Sequence, residues 1–169
     1  MPHLIRVLHD DLATLAVDAV VRAADEMLGP ASPGAARLDE RAGEQFAALC
    51  RVAAPLGAGA AVVTGAGALA APFVLHVVIR DQDGPARRDG VRRALVAAWQ
   101  RAADWGLATV AAPLVGADAG TLSAEEAASL LVETFEARAV ATCPRELHLV
   151  TGHDEERALV ESIVTRRRG

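Results

Sequence analysis

Apolar residues along the chain follow two periods, and the alternation between them outlines the fold. Short, nearly continuous apolar runs occur at 4–8, 17–21, 60–64, 73–79, 107–113 and 146–151. Runs of this length and density predict strands buried on both faces. Between them the period changes to that of a helix. Over 35–54, Leu38, Phe46, Leu49 and Cys50 fall on one stripe, and Glu40, Arg41, Glu44 and Arg51 on the other. A second helix is predicted over 91–105, closed by Gly106 at the position after the cap. A third begins at Ser123, with Glu126 three residues on completing a capping box, and runs to about 139. A fourth spans 154 to about 164. The predicted order is β-β-α-β-β-α-β-α-β-α. This is an α/β layered domain with a mixed sheet and helices on both faces. No repeat or linker divides it, so one domain is expected over 1–165, with a basic tail at 166–169 that contains Arg166, Arg167 and Arg168.

Composition sharpens this outline. The chain has 169 residues, 52% of them hydrophobic, enough for one substantial core and against disorder. The net charge of −5 gives no electrostatic footprint for DNA or RNA. The 38 alanines, the absence of lysine and asparagine, and 17 basic residues that are all arginine point to a GC-rich coding sequence. These absences, with that of tyrosine, remove a Schiff-base lysine, a P-loop lysine and a catalytic tyrosine or asparagine. Cys50 and Cys143 form no metal-ligand or redox pattern, so no metal or cofactor is expected, and two lone thiols fit a reducing cytoplasm. The N-terminus does not read as a secretory signal. The apolar stretch from 53 to 79 is broken by four glycines, Pro55 and Pro72, so a membrane span is not expected there.

Three segments are candidates for chemistry. One is Asp11 with Ala23-Ala24-Asp25 after the second strand. The second is the loop from Gly29 to Gly34, and the third the loop from Gly116 to Thr121. Small-residue loops at helix N-termini let backbone N–H groups approach an anion, although most such loops are only tight connections.

Taken together in order, these segments resemble the macro domain family, the ADP-ribose-binding modules. The likeness covers roughly 4–165. It rests on Asp10-Asp11-Leu12-Ala13, on Val17-Asp18-Ala19-Val20-Val21-Arg22-Ala23-Ala24-Asp25, and on Arg41-Ala42-Gly43. It continues with Val62-Val63-Thr64-Gly65-Ala66-Gly67-Ala68-Leu69, Val74-Leu75-His76, and Pro113-Leu114-Val115-Gly116-Ala117-Asp118-Ala119-Gly120-Thr121-Leu122. The resemblance implies a three-layer α-β-α fold and a binder of ADP-ribose or a related nucleotide. By analogy, Asp11 meets the adenine amino group. Leu12, Ala23, Ala24, Ala31, Ser32, Gly34, Val115, Gly116, Ala117, Asp118, Ala119, Gly120 and Thr121 surround the rest of the ligand.

The departures fall at the ligand positions. Arg22 and Asp25 stand where the family has asparagines, Pro33 has no N–H to donate, and Asp118 replaces a glycine. At an effective dielectric of about 20, two charges about 5 Å apart repel by about 3 kcal/mol, roughly a hundredfold in affinity. A divalent cation bridging carboxylate and phosphate would reverse that sign. Two other readings therefore stand beside a weakened or altered binder. One is a degenerate macro domain acting as a non-catalytic scaffold or interaction module. The other is a hydrolase of ADP-ribosyl esters or O-acetyl-ADP-ribose, with Asp25 as the base for a water. Structural readings accompany the rest. Asp11 caps a turn, Asp18 holds a strand end, and His76 is a satisfied core histidine. Arg22 pairs with Asp11, Asp18 or Asp25, and Trp99 and Trp105 pack in or beside the core.

Overall fold

The computed structural model describes residues 4–138 and 143–168. Its sheet is built from β1 (Leu4–Leu8), β2 (Ala19–Asp25), β3 (Ala61–Gly65), β4 (Phe73–Asp81), β5 (Gly84–Pro85), β6 (Thr109–Ala112) and β7 (Glu146–Val150). The strand order is β1-β7-β6-β2-β4-β3, with β5 attached to β4. β1, β7, β6, β2 and β4 run parallel, and β3 and β5 pair antiparallel with β4. The sheet is therefore mixed, as the pattern implied.

Strand β2 shows why both faces are covered. From Ala19 to Ala24 every residue is buried. Ala19, Val21 and Ala23 point into one core, with Leu95 and Trp99 of α3 (Arg88–Asp104), Leu131 and Phe135 of α4 (Ala124–Glu136), and Val160 of α5 (Asp154–Arg168). Val20 and Ala24 point into the other, with Leu38 of α1 (Pro33–Ala42) and Phe46 and Cys50 of α2 (Glu44–Ala53). Alternation along one strand thus feeds two apolar layers, and the result is a three-layer α-β-α sandwich.

Four expectations about elements are corrected. The single helix over 35–54 is two helices, because Gly43 adopts φ +89° and cannot continue α1. Leu49, read onto the buried stripe, is accordingly 37% exposed on α2. The second strand starts and ends later than the apolar run and carries Ala23-Ala24-Asp25 within the sheet rather than in a loop. The third helix stops at Glu136, short of the expected end near 139. Finally, α5 runs through Arg168 where a basic tail was expected, and Arg167 donates to Glu133 Oε1 at 2.6 Å, which ties that last turn to α4.

Other local readings hold. Ser123 and Glu126 form the capping box on α4. Gly106 has φ +64°, and Leu107 N–H reaches back to Ala102 O at the end of α3. Asp18 ties β2 to β6, its Oδ2 accepting from the N–H groups of Ala108 at 2.7 Å and Thr109 at 3.0 Å. Trp99 is buried and donates to Thr134 Oγ1 at 2.9 Å, while Trp105 packs edge-on against Phe73 at the surface. Among the described residues, no helix is long and apolar enough to cross a membrane.

Candidate functional site

The parallel strands deliver their carboxyl ends to one rim of the sheet. The chain leaves β2 toward α1 on one face and leaves β6 toward α4 on the other. Neighbouring strands whose connections part to opposite faces open a crevice between them, the usual ligand position in such sheets. Two cavities lie there. The larger, about 890 Å³ and open to solvent, has Asp10 and Asp11 beyond β1, Arg37, Glu40 and Arg41 on α1, and Leu114 and Asp118 beyond β6. It also reaches Thr151, His153 and Glu156 beyond β7. The smaller, about 40 Å³ and mostly apolar, is lined by Leu12, Ala23, Ser32, Gly34, Leu38, Val115 and Gly116. Asp118 borders both.

The wall between α1 and the β6 loop is made by one contact. Asp118 Oδ2 accepts the N–H of Gly34 at 2.8 Å. Gly34 lies in the first turn of α1, where backbone donors have no intrahelical partner. The remaining donors of that turn are accounted for. Pro33 has none, Ser32 Oγ takes the N–H of Ala35 at 3.1 Å, and Ser32 O takes that of Ala36. The N–H groups of Gly34, Ala35 and Ala36 are thus taken by the chain's own atoms, while that of Ser32 makes no intramolecular bond among the described residues. On the second loop the balance differs. Thr121 and Leu122 donate to Gly116 O, whereas the N–H groups of Gly116, Asp118 and Ala119 make no intramolecular bond among the described residues.

Asp11 sits at the mouth of the larger cavity. Its Oδ1 accepts from Ala13 N–H at 2.9 Å and so caps the short 3₁₀ turn Leu12–Thr14. Its Oδ2 accepts from Arg41 Nη1 at 3.0 Å, an exposed ion pair. Arg37 flanks Gly34 and makes no ion pair among the described residues; a Cβ added to Gly34 would lie 3.7 Å from its Nη2.

Asp25 does not reach either cavity. Its Oδ1 accepts from Met27 at 2.9 Å and Gly29 at 2.8 Å, closing the turn that follows β2. That carboxylate oxygen is held within its own turn. Ala24 is fully buried and lines neither cavity, and Ala31 is buried with its N–H on Ala23 O. Ala119, Gly120 and Thr121 shape the second loop without lining the cavities. Of the expected ligand residues, the structure therefore gathers Asp11, Leu12, Ala23, Ser32, Gly34, Val115, Gly116, Ala117 and Asp118.

Arg22 is not paired with Asp11, Asp18 or Asp25, all of which are engaged elsewhere. It is 2% exposed, and its partner is Asp39 of α1, held through Nε and Nη2 at 2.7 Å each. Nη2 also donates to Leu28 O at 3.0 Å, and the guanidinium lies over the Phe46 ring. Nη1 lies 3.1 Å from His76 Nδ1. Arginine only donates, so Nδ1 is the bare nitrogen of a neutral ring. Nε2–H then donates to Thr64 Oγ1 at 2.8 Å, and that hydroxyl donates to Gly65 O. Burial, reinforced by the Arg22 charge, pushes the His76 pKa down to about 3. Arg22 thus belongs to the core beneath α1 and α2.

Asp39 was missed in the sequence, although it borders the buried stripe formed by Leu38 and Ala42. Arg37, Arg41, His153 and Glu156 were missed too. The rule that ligands gather at the carboxyl ends of parallel strands, applied to the last strand, points to the Thr151–His153 segment. Among the described residues, no group of three or more His, Cys, Asp or Glu side chains is placed to hold a metal ion.

The Macro domain family model matches residues 21–131. The chain belongs to the Macro domain family. Solved macro domains share its fold. An Oceanobacillus iheyensis macrodomain with ADP superposes with a TM-score of 0.79 at 15% identity, over 96% of this chain and 90% of that one. A Trypanosoma brucei macrodomain in complex with ADP-ribose gives 0.80 at 21% identity, over 95% of this chain and 68% of that one. An uncharacterized protein of Mycobacterium tuberculosis (strain H37Rv) is 28% identical over 153 residues, which is 90% of this macro domain and 43% of that protein. The chain thus spans less than half the length of the curated relatives it matches.

Proposed function

We propose that this macro domain binds ADP-ribose or a related adenine nucleotide, weakly, in the larger cavity, with Asp11 at the adenine end. The observation that carries this reading is the open cleft of about 890 Å³ at the carboxyl ends of β1, β7 and β6, with Asp11 at its mouth. Solved macro domains of the same fold hold ADP or ADP-ribose, which supports a nucleotide as the occupant. Weakness follows from the first turn of α1, where the N–H groups of Gly34 and Ala35 are already taken. Calorimetric titration with ADP-ribose, with and without magnesium, tests the reading. Saturable heat with a dissociation constant between about 10⁻⁴ and 10⁻³ M is expected, reduced by Asp11→Ala. No heat and no thermal shift at millimolar ligand would rule it out.

The Asp118–Gly34 bond favours a second reading, a macro domain that has lost its nucleotide and serves as an interaction module. Asp118→Gly combined with Pro33→Gly decides between them. A gain of ADP-ribose binding supports the first reading, and no binding before or after supports the second.

A further inference from the structure

We propose that Asp118 is a built-in anion standing in for a ligand phosphate on the first turn of α1, so that the cleft selects against phosphate charge. Resting on the nucleotide reading above, the inference names the ligand class: a nucleoside such as adenosine is held at least as well as its diphosphate. Three observations lead there. The first turn of a helix is a ready anion position, and here the carboxylate of Asp118 fills it at 2.8 Å. Within that turn Pro33 has no N–H, and Ser32 Oγ already takes the N–H of Ala35. Space is also divided at this contact: about 890 Å³ on the solvent side, enough for a nucleoside, against about 40 Å³ on the inner side.

Charge acts in the same direction. The larger cavity is lined by five carboxylates, Asp10, Asp11, Glu40, Asp118 and Glu156, against two arginines. One of those arginines, Arg41, is paired with Asp11. A ligand phosphate arriving at Gly34 must displace Asp118 and remain beside it. Adenosine meets neither cost. Arg37, next to Gly34 and without an ion pair among the described residues, is the cation a phosphate would meet once Asp118 is gone. Asp118 is exposed, so its removal leaves the core packing intact.

The test is a ligand series on three proteins. Wild type, Asp118→Asn and Asp118→Gly are titrated with adenosine, AMP, ADP and ADP-ribose. Asparagine keeps an oxygen for the Gly34 N–H and removes the charge; glycine removes both. Affinity for ADP and ADP-ribose is expected to rise in the order wild type, Asp118→Asn, Asp118→Gly, by about tenfold or more overall. Adenosine affinity is expected to stay unchanged. Arg37→Ala placed on Asp118→Gly should remove most of the gain for ADP and leave adenosine alone. Thermal melts report folding, and the Asn variant carries the test should the Gly variant unfold. If wild type binds ADP-ribose and neither variant gains, or if adenosine gains equally, the built-in anion is overturned while nucleotide binding stands. If none of the three proteins binds any of the four ligands, both ideas fail.

Discussion

A buried histidine with a fixed tautomer makes folding sensitive to acid. His76 accepts from Arg22 at Nδ1, donates to Thr64 at Nε2 and stacks on Phe46. Protonating Nδ1 would break the bond to Arg22 and set two cations together in a dry core. The groups facing the ring are Arg22 and, through it, Asp39. The folded pKa is about 3, against an ordinary value of 6.5. The unfolded chain therefore binds this proton first, and stability is fully present above pH 6.5. It declines as pH falls from 6.5 toward 3, with a slope of up to about 1.4 kcal/mol per pH unit from this one group. Urea unfolding at a series of pH values should show the decline, and His76→Gln, which retains an acceptor, should flatten it between pH 6.5 and 5. An unchanged slope in the variant would assign the acid sensitivity to other groups.

Gly67 lies where a loop meets the end of a helix. It adopts φ +58°, and a Cβ there would sit 2.4 Å from Ala42 O, a backbone atom that also accepts the N–H of Ala68. Gly67→Ala is expected to lower stability by about 2 kcal/mol or more, since strain and a backbone clash act together, and a thermal melt measures it. This contact explains how the elements could be read from the sequence. Short apolar runs and the Gly106 break are local signals, so strands, caps and turns were visible. The split at Gly43 was hidden because α1 and α2 continue one apolar stripe across the break, and only the backbone conformation separates them. The site was less legible for a related reason. Asp118, Gly34, Arg22 and Asp39 pair across 84 and 17 residues of sequence. Charge alone does not say which carboxylate meets which donor. Asp25 looked reactive as a free side chain and proves to be the acceptor of its own turn.

At the scale of the whole molecule, the net charge of −5 and the acid-lined cleft act on any anion before contact. Exposed charges act over a screening length that shrinks from about 30 Å at 0.01 M salt to about 10 Å at 0.1 M. Binding of an anion at a basic site weakens over that range. Here the lining carboxylates outnumber the arginines, and Asp118 holds the Gly34 N–H at the first turn of α1. ADP-ribose affinity is therefore expected to rise with salt, by about two- to fivefold between 0.01 and 0.1 M. Adenosine, which carries no charge, should show no such trend. Asp118→Gly should flatten the rise for ADP-ribose, because one of the repelling charges is gone and Arg37 is no longer offset. Titrations at the two salt concentrations make the comparison directly. Affinity that falls with salt in the wild-type domain would mean that Arg37 and Arg41 govern the approach, and that the carboxylates around them are too well solvated to oppose it.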